Sequence, residues 1–278
     1  MVLTLKLDFI DHIKQYIIKH NLYNTGPRTL YSLDDLLNAF QYVLSTGSSW
    51  RSLSSPVFKG LYKWQSIYHH FNKFCKLNVF MNVYTQLLDT YFKSNKSGKL
   101  KYLSVDTSFI KNDSSKHASF GYKGKRSFKL SVIVDTNGIP ISALVDKANN
   151  SDQKLIMDNL DHMLVEIDYR VFNNKTKRYM LADSIYDTRN IKEKIKSLGI
   201  TPIIYPNKRN TKNPDRLRNL RSCEKKIYKK RIIVENFFCR CYKNRRLSKQ
   251  YEKNINTYMS FLYMGLSKLL VKRMNCES

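Results

Sequence analysis

The sequence predicts an α/β protein with a mixed sheet, preceded by a small all-helical region, and three observations predict it. Apolar residues recur at three and four positions up to about residue 93, the period of helices. A polar, basic stretch containing Gly98 follows at Ser94 to Lys99. Beyond it come strand-like runs, two of them separated by Asn137-Gly138, a strong hairpin signal. The expected domains are a helical one over 1–95 and a sheet-based one over 100–278.

In the first region Leu36, Leu37, Phe40, Val43 and Leu44 mark a helix face, and Ser32 with Asp35 three residues later is a helix-start signature. A break at Ser45 to Ser49 leads through Pro56 to a second helical stretch, Trp64 to Cys75, giving a helix, turn, helix outline. Lys63, Lys73 and Lys76 among its aromatic residues suit either a helix laid on DNA or one packed in a bundle. In the second region Lys101 to Ile110, Phe128 to Asp135 and Pro140 to Val145 read as strands. A helix over Ser151 to Ile167, a strand at Tyr179 to Asp183, a helix at Asp187 to Leu198 and a strand at Thr201 to Tyr205 come next. Strands alternate with helices only after an initial meander, so the sheet should be mixed and covered by helices. From Glu224 to about Leu247 a single long helix is expected, and Asn256 to Val271 reads as an apolar helix that completes the core.

Lysine and arginine number 49 against 22 acidic residues, a formal charge of +27. Such an excess repels itself unless a polyanion lies against it, so nucleic acid is the expected partner. Residues 208–246 alone carry 15 basic residues against Asp215, Glu224 and Glu235. Arg231, Lys229, Lys230, Arg245 and Arg246 are candidate phosphate contacts. No run of about 18 apolar residues and no signal-peptide core is present, so a soluble, intracellular protein with no membrane role is expected. The five cysteines show no CxxC and no zinc-finger spacing, and read as reduced thiols. Gly121-Tyr122-Lys123-Gly124-Lys125 lacks the spacing of a P-loop.

Three carboxylates stand out. Asp106 ends the apolar run Tyr102-Leu103-Ser104-Val105, where an unpaired charge costs several kcal/mol if buried. Asp183 ends Tyr179-Met180-Leu181-Ala182, at the strand end where ligands gather in open sheets. Glu235 stands alone in the basic and apolar Arg231 to Phe238 segment. If they converge, they form an all-oxygen site suited to magnesium, and two such ions serve in-line phosphoryl displacement. Each residue also has a local explanation: Asp106 pairing with Lys111 or capping a turn, Asp183 capping the next helix, Glu235 bridging Arg231 one turn earlier. Asp135, Asp146 and Asp152 are competitors, ranked lower because they fall at strand exits or turns.

These segments resemble the DDE transposases of bacterial insertion sequences, in particular the insertion-sequence-five-like group. Val105-Asp106-Thr107-Ser108 is similar to the first catalytic motif, Leu181 to Asp187 to the second, and Arg231 to Glu235 with Arg245-Arg246-Leu247 to the third. Phe120 to Gly124, Asp135 to Gly138 and Ala148 to Asp152 match further segments of the same core in order, and Leu44 to Arg51 with Trp64 to Phe74 resemble the family's helical DNA-binding region. The resemblance implies an RNase H-like catalytic fold and catalysis by Asp106, Asp183 and Glu235, which would hold magnesium or manganese, two ions in all. It also implies cut-and-paste movement of an element bounded by inverted repeats, by a homo-oligomer on double-stranded DNA inside the cell, in the cytoplasm where the host is a bacterium. The family's Tyr, Arg, Glu, Lys signature falls on Tyr228, Arg231 and Glu235, but its lysine position is Tyr242, with Lys243 adjacent. That departure leaves open an inactive or domesticated DNA-binding relative.

Overall fold

The computed structural model describes residues 8–23, 31–54, 63–93, 96–112, 115, 118–121, 125–164, 177–209 and 219–277. The chain divides into two compact units. One comprises Met1–Tyr91, Asn112–Lys116 and Arg240–Ser278, and the other Phe92–Lys111 and His117–Cys239.

The first unit is helical. It contains α1 (Phe9–Lys19), α2 (Leu33–Thr46), a 3-10 turn at Trp50–Ser54, α3 (Trp64–Lys76) and α4 (Val79–Lys93) as far as Tyr91. Ser32 and Asp35 cap α2 reciprocally, and the helix ends on Gly47 at φ 70°, a left-handed conformation that glycine adopts without strain. In α3 Ile67, Phe71, Phe74 and Cys75 are buried, while Lys63, just before it, and Gln65, His69 and Lys76 are exposed. Phe71 and Phe74 of the candidate DNA helix therefore face the core, Trp64 and Tyr68 are half-buried, and the exposed face is polar and basic. Pro56 lies outside the described residues.

The sheet unit opens with one helical turn, α5 (Lys96–Lys99), followed by β1 (Tyr102–Lys111), β2 (Ser119–Phe120), β3 (Arg126–Val134) and β4 (Pro140–Lys147). The polar, basic stretch between the two expected domains is thus partly helical, and the Lys99 carbonyl accepts from the backbone of Thr136 at 2.9 Å. The turn at Asn137-Gly138 forms as expected, with Gly138 at φ 76°. α6 (Asp152–Asp161), β5 (Tyr179–Ala182), α7 (Arg189–Ser197) and β6 (Thr201–Ile204) complete the alternation. α6 starts at a Ser151 cap and ends at His162, short of the expected Ile167; residues 165–176 lie outside the described ones.

β1 pairs antiparallel with β3, and β3 antiparallel with β4 and β2. β1 also pairs parallel with β5, and β5 parallel with β6. The spatial order is therefore β4-β3-β1-β5-β6, with β2 beside the start of β3, a mixed sheet of the RNase H-like kind. β3 is buried from Ser127 to Val134, so both its faces are covered, and α6 packs against β3 and β4. Asn159 of α6 ties two strands together: it donates to Ser131 and accepts from Ser142 at 2.7 Å.

Two expectations need correction. The long helix over Glu224 to Leu247 is broken into α8 (Ser222–Tyr228), a 3-10 turn at Lys229–Arg231, α9 (Ile232–Cys241) and α10 (Arg245–Ser248). Five cations between Lys225 and Arg231 disfavour continuous helix by mutual repulsion. At the second break the Asn244 side chain donates to the Cys241 carbonyl, a local bond that competes with the helical one. The closing part of the expected domain 100–278 also changes place, because Arg240–Ser278 belongs to the helical unit. α11 (Ile255–Glu277) puts Phe261 against Phe71, ring centroids 4.4 Å apart, and against Trp50 at 5.8 Å. Phe40, Phe71 and Phe261 are fully buried, and each such ring contributes about 1.5–3 kcal/mol by leaving water.

Candidate active site

Parallel pairing of β1 and β5 sets Ser104 opposite Leu181. Two residues further along each strand direction come Asp106, in the middle of β1, and Asp183, just past β5, so the register alone brings both carboxylates to the end of the β1–β5 paired stretch. Asp183 is exposed and accepts from its own neighbour, the Ser184 backbone N–H, at 2.6 Å, which is the local capping role weighed from the sequence. Asp106 accepts from the Thr107 backbone at 2.8 Å and pairs not with Lys111 but with Arg231, whose Nη1 lies 3.0 Å from Oδ2. Arg231 Nη2 also pairs with Glu235. The 3-10 turn before α9 thus sets a guanidinium between two of the three predicted acids.

Burial pushes the Asp106 carboxyl above the ordinary range for aspartate. The Thr107 N–H and Arg231 pull it down, while the Asp183 charge adds to the rise. Arg231 is itself shifted upward by Asp106, Tyr228 and Glu235 against the opposing effect of burial. One guanidinium pairs with two carboxylates, and Asp183 acts on one of those two, a local surplus of negative charge in a strongly basic chain. Among the described residues no three acidic, histidine or cysteine side chains close around a common point. The donor set is all oxygen, which fits a hard divalent cation and excludes a thiolate or imidazole site.

The competitors have other partners. Asp135 is buried and accepts from the backbones of Asn137 and Ile139 at 2.9 and 2.8 Å, holding the β3–β4 hairpin. Asp146 accepts from the Lys147 backbone and from Asn150. Asp152 is different: it pairs with Lys129 at 3.0 Å and accepts from Thr107, next to Asp106, at 3.2 Å. Sequence reading missed this proximity because 45 residues separate Thr107 from Asp152. The Phe120-Gly121 and Ala148 to Asp152 segments also meet, since a Cβ on Gly121 would lie 2.7 Å from that of Ala148.

Among the basic candidates, Lys229 and Lys230 are exposed in the turn leading into α9, and Arg221, Lys225 and Lys226 are exposed just before it. Lys230 lies 4.6 Å from the centre of the Tyr102 ring, and Tyr228 packs edge-on against Tyr205 at 4.5 Å. In the helical unit Lys243 and Arg245 are exposed. Arg246 corrects the expectation of phosphate contact: it is 4% exposed. Its guanidinium is consumed by Glu252 and by the Gly47 and Ser48 carbonyls. The available signal was Glu252 six residues later, one of two acids after Arg246.

The family model described as the transposase DDE domain matches residues 98–263, more than half of the chain. None of the curated proteins compared with the chain matches it in sequence. Among solved structures, a piggyBac transposase synaptic complex with hairpin DNA is similar at TM-score 0.54 and 9% identity, over 97% of this chain and 73% of that one. The catalytic domain of Mos1 mariner transposase matches at TM-score 0.27 and 13% identity, over 69% and 88%. The piggyBac similarity agrees with the strand order in giving an RNase H-like fold. With the domain match across the sheet and both aspartate-bearing strands, the chain belongs to the DDE-domain transposases.

Proposed function

We propose that Asp106, Asp183 and Glu235 are the catalytic carboxylates and hold magnesium or manganese, in a chain that cuts and rejoins DNA at the inverted-repeat ends of its own element. The observation that carries this reading is the pairing of Arg231 with both Asp106 and Glu235, residues far apart in sequence, beside the strand end that bears Asp183. When bound, two divalent ions would lower the pKa of the attacking water and steady the leaving oxygen. The chain's own residues do the rest. The carboxylates fix the ligand positions, while Lys229, Lys230 and the exposed cations of α8 grip phosphates. Arg231 neutralises surplus carboxylate charge and lies ready to meet a phosphate at the same place. Water first frees a 3′ hydroxyl at the element end, and that hydroxyl then attacks target DNA. The homo-oligomer, the intracellular setting and further phosphate contacts by Tyr228, Lys243, Arg245 and the basic face of α3 belong to the same proposal.

The test is Asp106→Asn: cleavage of a fragment carrying the element's ends should fall by about 10³-fold or more, with DNA affinity kept. Retained cleavage would refute the ligand assignment. A second reading, a DNA-binding relative without turnover, is favoured by Tyr242 at the lysine position. Salt-sensitive binding without any cutting by wild type would establish it.

A further inference from the structure

Behind Asp106 and Asp183 lies a second layer of side chains contributed by four elements. The Thr107 hydroxyl of β1 donates to Asp152 Oδ1 at 3.2 Å, and the same oxygen pairs with Lys129 of β3 at 3.0 Å. The Lys129 and Asp152 side chains are 8% and 16% exposed. Lys129 also donates to the Asn150 carbonyl at 2.7 Å and lies 5.2 Å from the centre of the Phe109 ring. Gln153 donates to the Ile185 carbonyl at 3.2 Å and so fastens α6 to the turn that follows Asp183.

On that turn Tyr186 is fully buried; its hydroxyl lies near the Thr107 side chain but among the described residues meets no partner in full hydrogen-bond geometry. Asp152, Asp106 and Asp183 all act on it, Asp152 most strongly. A phenol is protonated at neutral pH, so this hydroxyl has a proton to donate. A buried hydroxyl left unsatisfied beside three carboxylates is rare enough to call for a partner. Packing alone does not require the oxygen, because phenylalanine fills the same volume.

We propose that Lys129, Asp152, Thr107 and Tyr186 form a positioning network for Asp106 and Asp183, the Tyr186 hydroxyl donating its proton into the carboxylate cluster when a divalent ion is held there. The inference rests on the ligand assignment above. Lys129 anchors Asp152, Asp152 fixes Thr107 and with it the backbone that presents Asp106, and Tyr186 links the turn carrying Asp183 to the same centre. Groups that orient metal-binding carboxylates in this way typically change metal affinity by 10- to 100-fold when removed.

The probe is Mn²⁺ alone, its binding to the full chain read by electron paramagnetic resonance, beside thermal unfolding. Tyr186→Phe should weaken Mn²⁺ binding by roughly 10- to 100-fold with an unchanged or higher melting temperature. Asp152→Asn alone would strand a buried lysine, so the second variant combines Lys129→Met with Asp152→Asn. It should fold and show the same loss; if it does not fold, Tyr186→Phe decides. Wild-type Mn²⁺ affinity in either folded variant, with binding abolished by Asp106→Asn, overturns the network and leaves the ligand assignment standing. Absence of Mn²⁺ binding by wild type, or binding indifferent to Asp106→Asn, overturns both.

Discussion

Two arginines in this chain each meet carboxylate, and the contrast between them separates a structural ion pair from a reactive one. In the helical unit Arg246 and Glu252 have side chains 5% and 3% exposed. The guanidinium donates to Glu252 at 2.7 Å, to the Ser48 carbonyl at 3.0 Å and to that of Gly47, and lies over Tyr251 and Phe261. One charge meets one charge, and water is excluded. In the sheet unit Arg231 is 20% exposed, Asp106 25% and Glu235 44%, with Asp183 also acting on Asp106. One positive charge meets several negative ones in reach of solvent. The closed pair fastens the fold, while the open cluster retains negative charge that only further cations can balance.

The largest stability effect should come from breaking the closed pair. Arg246→Ala leaves Glu252 buried without its partner and should cost about 3–5 kcal/mol, read by urea unfolding. By contrast Arg231→Ala should cost far less, because its acids can take up water; equal costs would erase the distinction. The exposed cations should change binding instead of stability. Lys229→Gln with Lys230→Gln should leave unfolding within about 0.5 kcal/mol of wild type. The slope of log affinity against log salt should fall by roughly one per lysine.

The smallest effect is one of pH. Burial holds His70 below its usual 6.5, with His69 and Lys73 adding to the effect, and burial likewise holds His12 down against Asp11 and Asp8. Unfolding lets each take up a proton more readily, so the helical unit should lose stability as pH falls below about 6.5, until the lowered native values are passed. His70→Gln should flatten that decline in a thermal titration. Stability rising toward acid would contradict the sign.

Much of the sheet unit was legible because its signals are local. Asn137-Gly138 dictates a hairpin, Ser151 a helix start, and the apolar runs before Asp106 and Asp183 are the segments of β1 and β5 that pair with each other. What was not legible depends on long-range contact. Arg246 looked like another member of a basic run, and only Glu252 with the Gly47 and Ser48 carbonyls, some two hundred residues away, makes it structural. Asp152 ranked low as a turn residue, yet the β3–β1 pairing carries Lys129 and Thr107 to it. The helix expected across Glu224 to Leu247 breaks on local repulsion among its cations, but what the break makes possible is a long-range contact. Arg231 reaches Asp106 from a tight turn, and local periodicity carries no record of that contact.

The central claim is that the open cluster is a metal-dependent cutting site. Its most direct test is strand cleavage and joining on DNA carrying the element's ends, with magnesium or manganese, for wild type beside Asp183→Asn. The account predicts metal-dependent nicking and joining by wild type, abolished in the variant while DNA binding persists. Nicking that survives in Asp183→Asn, or that proceeds without divalent metal, would contradict it.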